Sequence, residues 1–203
     1  MTKEITTAAV AKMIKKELTA AFKGTKFSVT SDRYAGGSAV RVNWTGGAGL
    51  SEVKEIVSKY EGAGFDGMID MKYYKSHAIN KVTGELVCCG SEGTADSGGV
   101  YSSWVEELGE DWEEVTLYCD FVTCSRLATL EEVEAALEYA ATEWKIDVSG
   151  IETHGEGRCY PCKEYIAAGM SNSYEHLLGL YGHTEAMYWN NKIHRLISEG
   201  GAA

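Results

Sequence analysis

The sequence predicts an α+β protein: a small mixed or antiparallel sheet with helices packed on it, plus a helical C-terminal extension. Three observations carry this. Apolar residues recur at helical spacing over 7–23 and again over 130–144. Apolar and polar residues alternate in several short stretches, as half-buried strands require. Apolar stripes at helical spacing return after residue 173.

The elements follow in order. In residues 7–23 the stripe is Val10, Ile14, Leu18 and Phe22, and Gly24 closes the helix. Phe27 and Val29 begin one strand, and Val40, Val42 and Trp44 form a second, with Arg41 and Asn43 on its opposite face. Tyr34-Ala35-Gly36-Gly37-Ser38 supplies the turn between them. After Thr45-Gly46-Gly47-Ala48-Gly49 a second helix is expected, capped by Ser51, with Val53, Ile56, Val57 and Tyr60 inward and Gly62 at its end. The period of Phe65-Asp66-Gly67-Met68-Ile69-Asp70 is ambiguous. Residues 84–99 hold five glycines and read as a mobile loop or insertion. One strand is expected over 114–124, with Val115, Leu117, Cys119 and Phe121 on one face. Thr129-Leu130-Glu131-Glu132 is a capping box opening a helix whose inner face is Leu130, Val133, Leu137, Ala140 and Trp144. A polar segment over 150–170 precedes two helices near 173–181 and 184–198, the second with Trp189, Ile193, Leu196 and Ile197 on one face.

At 203 residues the chain can bury enough apolar surface to need no disulfide or metal staple. No apolar run reaches the roughly 20 residues of a membrane helix, and Met1-Thr2-Lys3-Glu4 lacks a signal-peptide core. The expected location is the cytosol, where the six cysteines read as free thiols or metal ligands. The net charge of −11 is unevenly spread: residues 1–75 carry +4 and residues 76–203 carry −15. Between Glu106 and Glu143 stand 12 acidic residues and one basic one, Arg126. Such a surface disfavours direct nucleic-acid binding and suits either plain solvation or a basic partner.

The segments Lys26-Phe27-Ser28-Val29, Tyr34-Ala35-Gly36-Gly37-Ser38, Val42-Asn43-Trp44-Thr45-Gly46-Gly47 and Phe65-Asp66-Gly67-Met68-Ile69-Asp70 resemble a large polyvalent protein-associated domain of phages and conjugative elements. Cys119-Asp120-Phe121-Val122-Thr123-Cys124-Ser125-Arg126 looks like the closing portion of the same family. The resemblance covers about residues 7–147. It implies a family-like domain over 1–149, with an insertion at about 84–110, and an unmatched extension over 150–203 packed on it. The family supplies no catalytic residues. Its setting implies a protein that counteracts a host defence, anti-CRISPR or anti-restriction, by binding a host nuclease complex in the host cytosol.

The chemistry-bearing candidates are few. Glu106, Glu107, Glu110, Asp111, Glu113 and Glu114, with the helical stripe Glu131, Glu134 and Glu138, form the candidate partner-binding acidic surface. Gly46, Gly47 and Gly49 could present N–H groups to an anion, though the lysine of a phosphate loop is missing. Asp66 and Asp70, four apart, could share a helix face as a metal or acid–base pair. Cys159 and Cys162 with His154 make half a zinc site, which His176 or His183 could complete. No cofactor is otherwise expected. No nucleophile–base signature is present, so the expectation is a binding protein rather than an enzyme. The competing reading is a metal- or nucleotide-dependent enzyme or nucleic-acid-processing accessory protein. The tail stripes also allow a homodimer, since short helices need a cover for such a face.

Overall fold

The computed structural model describes residues 2–91, 108–154, 157–158, 165–166, 169–171 and 173–200. In chain order the elements are β1 (Lys3–Ile5), α1 (Thr7–Ala21), β2 (Ser28–Tyr34), β3 (Gly37–Thr45), α2 (Leu50–Val57) with a 3₁₀ turn at Ser58–Tyr60, β4 (Ala63–Asp66), β5 (Met71–Asn80), β6 (Leu86–Ser91), β7 (Trp112–Leu117), β8 (Phe121–Leu127) and α3 (Leu130–Glu143). After these come β9 (Glu152–His154), β10 (Gly157–Arg158), β11 (Tyr165–Ile166), β12 (Gly169–Ser171), α4 (Ser173–Tyr181) and α5 (His183–Ser198). The fold is mixed α+β with small sheets, as expected. Two compact units form: Met1–Lys23, Phe27–Asn43 and Val53–Cys124 make the first, and Gly24–Lys26, Trp44–Glu52 and Ser125–Ala203 the second. Among the described residues no helix is long and apolar enough to cross a membrane.

In the first unit, Thr6 caps α1 by accepting the Ala9 N–H, and the expected stripe Val10, Ile14 and Leu18 is fully buried. Strand β5 organises the main sheet. Its first half pairs antiparallel with β4, from Ala63↔Tyr74 to Asp66↔Met71. Its second half lies between β6 and β7, with Ile79 opposite Leu86 on one side and Glu113 on the other. Strand β7 pairs in parallel with β1. The segment Leu86–Ser91, expected as part of a glycine-rich loop, is therefore a strand paired with β5. Leu86 and Cys89 are buried there, and apolar burial overrides the glycine content around them. The rest of the expected 84–110 insertion, residues 92–107, lies outside the described residues.

The single strand expected over 114–124 is two strands in different sheets, because β7 belongs to the five-stranded sheet and β8 to a three-stranded sheet of order β2-β3-β8. Local hydrogen bonds divert the chain between them. The Tyr118 N–H donates to the Ile5 carbonyl at 2.8 Å and the Asp120 N–H to the Ser38 carbonyl at 3.0 Å, while the Thr7 and Ser38 hydroxyls donate to the Tyr118 carbonyl. Side-chain alternation persists across the break, with Leu117 and Cys119 buried and Tyr118 exposed, so the sequence pattern reads as one strand.

In the second unit, helix α3 opens with the expected capping box: the Thr129 hydroxyl accepts the Glu132 N–H, and the Glu132 carboxylate accepts the Thr129 N–H. Val133, Leu137 and Ala140 form its buried face, and Ala136 joins them. Leu130 does not; it stands in the first helical turn, over a third exposed. This face packs with Leu177 of α4 and Ala186, Ile193 and Ile197 of α5, with Trp189 and Leu196 partly buried beside them. Leu178 and Leu180 face outward. The tail thus supplies half of a core that α3 begins, and α3 belongs to the same unit as α4 and α5. The expected polar segment over 150–170 holds two short antiparallel pairings, β9 with β12 and β10 with β11. At the far end of α3 the Trp144 ring stacks on Trp189 at 5.8 Å, and the Lys192 ammonium lies over both, 4.1 and 4.9 Å from their centroids.

One buried side chain in the first unit sets a pH dependence. His77 is fully buried at an irregularity between β5 and β6, with Nδ1 3.2 Å from the Lys75 carbonyl and no partner for Nε2 among the described residues. Burial pushes its pKa down to about 4. Above pH 6.5 the ring is neutral in both folded and unfolded chains. Between pH 6.5 and 4 the unfolded chain takes up a proton that the folded chain refuses, so stability falls with pH, by up to roughly 3 kcal/mol. Urea unfolding from pH 7 to 4.5 should show this loss. His77→Phe should flatten it, and an unchanged slope in that variant would assign the loss to other groups.

Candidate functional site

A cleft of about 720 Å³ opens in the first unit, within the size range of small-molecule sites. Its wall joins the β1–α1 junction (Glu4, Thr6, Thr7), the facing ends of β2 and β3 (Arg33, Tyr34, Gly37, Ser38), β5 (Lys72, Tyr74, Lys75) and β7 with the residues just after it (Glu114, Tyr118, Asp120). Asp120 is its buried centre. The carboxylate accepts the Ser38 N–H at 2.9 Å and pairs with the Lys72 ammonium at 2.8 Å. Burial would lower the Lys72 pKa, but contact with Asp120 outweighs it and holds the ammonium above its ordinary value. Gly37 is required for this closeness: a Cβ there would come within 2.7 Å of the Tyr34 ring and 2.8 Å of the Asp120 carboxylate. The Arg33 Nε lies 3.5 Å from the Thr7 hydroxyl, and among the described residues Arg33 makes no ion pair. The cleft therefore offers one guanidinium, a neutralised Lys–Asp pair and three tyrosines. Sequence reading missed it because its residues come from four separate segments that share no local motif. Only Gly37, in a turn already singled out, hinted at a close approach.

The residues singled out in sequence fall as follows. Asp66 and Asp70 do not share a helix. They flank the β4–β5 turn, where the buried Asp66 accepts the Met68 N–H at 2.9 Å and Asp70 takes a left-handed φ of 53°. Turn chemistry won over helical spacing.

The glycine turn is not arranged for an anion. The N–H of Gly46 donates to the Leu127 carbonyl at 2.9 Å, that of Ala48 to the Thr25 hydroxyl at 3.4 Å, and that of Gly49 to the Glu52 carboxylate at 2.9 Å. Left-handed φ values of 63° and 67° at Gly46 and Gly47 turn carbonyls toward a cation instead. That cation is Arg126. Its Nε donates to the Ala48 carbonyl at 3.0 Å and one Nη to Gly47 at 3.5 Å; the Ile197 carbonyl at 2.8 Å and the Glu132 carboxylate complete its partners. Ser51, expected as the α2 cap, lies inside the helix and donates its N–H and hydroxyl to Glu199 at 3.0 and 2.6 Å. Burial would raise the Glu199 pKa, but these bonds and the nearby Arg195 and Arg126 hold it below the ordinary carboxylate value.

The acidic residues divide between the units. Glu110, Asp111 and Glu114 are exposed near the start of β7, and Glu113 pairs with Lys3 at 2.5 Å, whereas Glu106 and Glu107 lie outside the described residues. In the second unit Glu131, Glu134 and Glu138 are all exposed along α3, and none forms an ion pair among the described residues. Cys159 and Cys162 lie outside the described residues, and of His154 only its place in β9 is described. His176 Nε2 lies 3.0 Å from the Asp147 carbonyl. Among the described residues no cluster of three His, Cys, Asp or Glu is placed to hold a metal.

Apart from Glu4, the cleft lies with the β4–β5 turn and the β2–β3 turn within residues 5–126, which match the sequence model of large polyvalent protein associated domain 29. The chain belongs to that family. Large polyvalent proteins are associated with phages and mobile elements, and this chain carries their domain 29 as the greater part of its length. No curated protein and no solved structure matches the chain. The resemblance read from sequence, over about 7–147, is thus shown over 5–126, and the match stops short of α3.

The Lys72–Asp120 pair is the testable element of the domain 29 cleft. In a double-mutant cycle of Lys72→Met and Asp120→Asn, thermal or urea unfolding should give a coupling of roughly 1–3 kcal/mol, as for partly buried charges in contact. A coupling near zero would mean that the cleft is not held by this pair.

Proposed function

We propose that the chain is a mobile-element protein that counteracts a host defence system, anti-CRISPR or anti-restriction in kind, by binding a host nuclease complex in the host cytosol through the acidic face of α3. The observation that carries this reading is the row Glu131, Glu134 and Glu138: three exposed carboxylates on one helix face, unpaired among the described residues. Membership in a family of phage and mobile-element proteins supports it. Between Glu131 and Glu138 the helix rises about 10 Å, and duplex DNA carries one charge per roughly 1.7 Å of axis, so this row imitates a short stretch of phosphates. A basic nucleic-acid groove on a nuclease would attract such a row, and the attraction would weaken with salt. The chain itself, at net charge −11, is proposed not to bind nucleic acid.

The competing reading, a metal- or nucleotide-dependent enzyme or accessory protein, draws on the polar cleft around Arg33, Lys72 and Asp120. A melting shift with Mg²⁺, Mn²⁺ or nucleotides, reaching about 2.7 kcal/mol at a hundredfold excess over Kd, would favour it.

Charge reversal of the helix row separates the two. The triple variant Glu131→Lys, Glu134→Lys, Glu138→Lys should keep the melting temperature within a few degrees, because all three side chains are exposed. It should also lose salt-sensitive binding to a host nuclease complex and inhibition of that nuclease. Inhibition that persists in the folded triple variant would remove the α3 face from the account.

A further inference from the structure

The aromatic cluster where α3 ends against α5 has no part in the function proposed above. Four rings meet there. Trp144 stacks on Trp189, Tyr139 meets the Trp144 ring edge-on at 5.6 Å, and Tyr188 meets the Trp189 ring edge-on at 4.8 Å. The tryptophans are half-buried against the core, whereas Tyr139 and Tyr188 are 36 and 56% exposed, so the cluster reaches the surface. The Lys192 ammonium lies over three of the rings, 4.1 Å from Trp144, 4.9 Å from Trp189 and 5.6 Å from Tyr188. Lys59 and Lys72 each lie over one tyrosine, at 5.5 and 5.0 Å, and each also pairs with a carboxylate, Glu17 and Asp120. Lys192 makes no ion pair among the described residues. Ring faces alone hold its charge, as in an aromatic cage for a cation.

Carboxylates stand next to the cage. Glu143 directly precedes Trp144, Glu138 directly precedes Tyr139, and Glu185 lies three residues before Tyr188 and seven before Lys192, two turns along the same side of α5. All three are exposed, and none forms an ion pair among the described residues. Rings with carboxylates beside them suit a guanidinium better than an ammonium. A guanidinium is planar and weakly hydrated, so it stacks flat on the rings and still turns N–H groups toward carboxylates at its edge. The Lys192 ammonium sits on a flexible four-carbon stem and can leave the rings without disturbing α5. We infer that the cage of Trp144, Tyr188 and Trp189 is a docking site for an arginine side chain in a basic segment of a partner, which displaces the Lys192 ammonium. The inference deepens the reading of α3 as a face for a basic partner and rests on it for what that partner is.

Nuclear magnetic resonance of the isotope-labelled full chain tests this, with a blocked peptide of alternating arginine and serine and the same peptide carrying lysine or citrulline instead of arginine. The indole N–H signals read the site, because Trp144 and Trp189 are two of five tryptophans. The arginine peptide should shift those two signals with a Kd of roughly 1 mM or below, about fivefold tighter than the lysine peptide, and the citrulline peptide should not bind. Lys192→Met keeps most of the stem and removes the competing ammonium, so it should tighten arginine binding about fivefold. Lys12→Met, the same charge change on an exposed lysine of α1, should not. Tyr188→Ser, at the more exposed tyrosine, should weaken arginine binding and keep the melting temperature within a few degrees. Trp144 and Trp189 signals that do not move, equal affinity for the two cationic peptides, or a Lys192→Met chain that binds no more tightly than wild type overturns the inference. So does binding confined to the amides of Glu131 and Glu134, which would leave the acidic row as the whole contact. No nuclease takes part in this titration, so its failure is separate from the persistence of inhibition in the triple charge-reversal variant.

Discussion

The guanidinium of Arg126 is the constraint on which the second unit depends. Its side chain is 1% exposed, yet it touches three chain segments: the glycine turn at Gly47 and Ala48, the first turn of α3 at Glu132, and the last turn of α5 at Ile197. The Ala48 carbonyl also accepts from Trp44 Nε1 and the Ile197 carbonyl from the Gly200 N–H, so the guanidinium adds the donors that tie these segments to one another. The α5 carbonyl is one of the acceptors a helix leaves open at its C-terminus. The Gly47 and Ala48 carbonyls point inward because two left-handed glycines place them there. Glu132 serves twice, once for the guanidinium and once for the Thr129 N–H of the capping box. Arginine suits this role and lysine does not, because only a planar fork reaches several acceptors at fixed angles.

That arrangement links fold to proposed function. Helix α3 carries the exposed acidic row on one side and a core face of Val133, Ala136, Leu137 and Ala140 on the other. Its packing against α4 and α5 and its anchoring by Arg126 set which side faces solvent. The same neighbourhood holds Glu199, whose carboxylate receives the Ser51 N–H near the start of α2, where a helix favours negative charge. In the first unit the order is different: no single charge dominates, and strand β5, paired along its length with β4, β6 and β7, positions both the cleft wall and the β4–β5 turn.

Much of this was legible in sequence where local signals agree. The α1 stripe, the alternation of Val40, Val42 and Trp44, the Thr129 capping box and the two tail helices all appear where spacing and caps placed them. What failed depended on distant partners. Nothing local shows that Tyr118–Asp120 bonds back to Ile5 and Ser38 and so splits one apparent strand. Nothing local shows that the glycine turn faces a cation 79 positions on, although Arg126, alone among 12 acids, was the visible clue. Helical spacing suggested pairing Asp66 with Asp70, where the Asp-Gly sequence already signalled a turn. The cleft was illegible for the same reason, since its central contact joins residues 48 and 82 positions apart.

Arg126 gives the most direct test of the account. Native-state hydrogen exchange on Arg126→Lys, compared with wild type, reads every segment at once. The account predicts a loss of roughly 1–3 kcal/mol, because lysine keeps the charge but not the fork and so leaves buried acceptors unpaired. It also predicts a joint loss of protection at Gly46 and Ala48, in the first turn of α3 and in the last turn of α5. Lost protection at only one of these places, or a lysine variant as protected as the wild type, would contradict it.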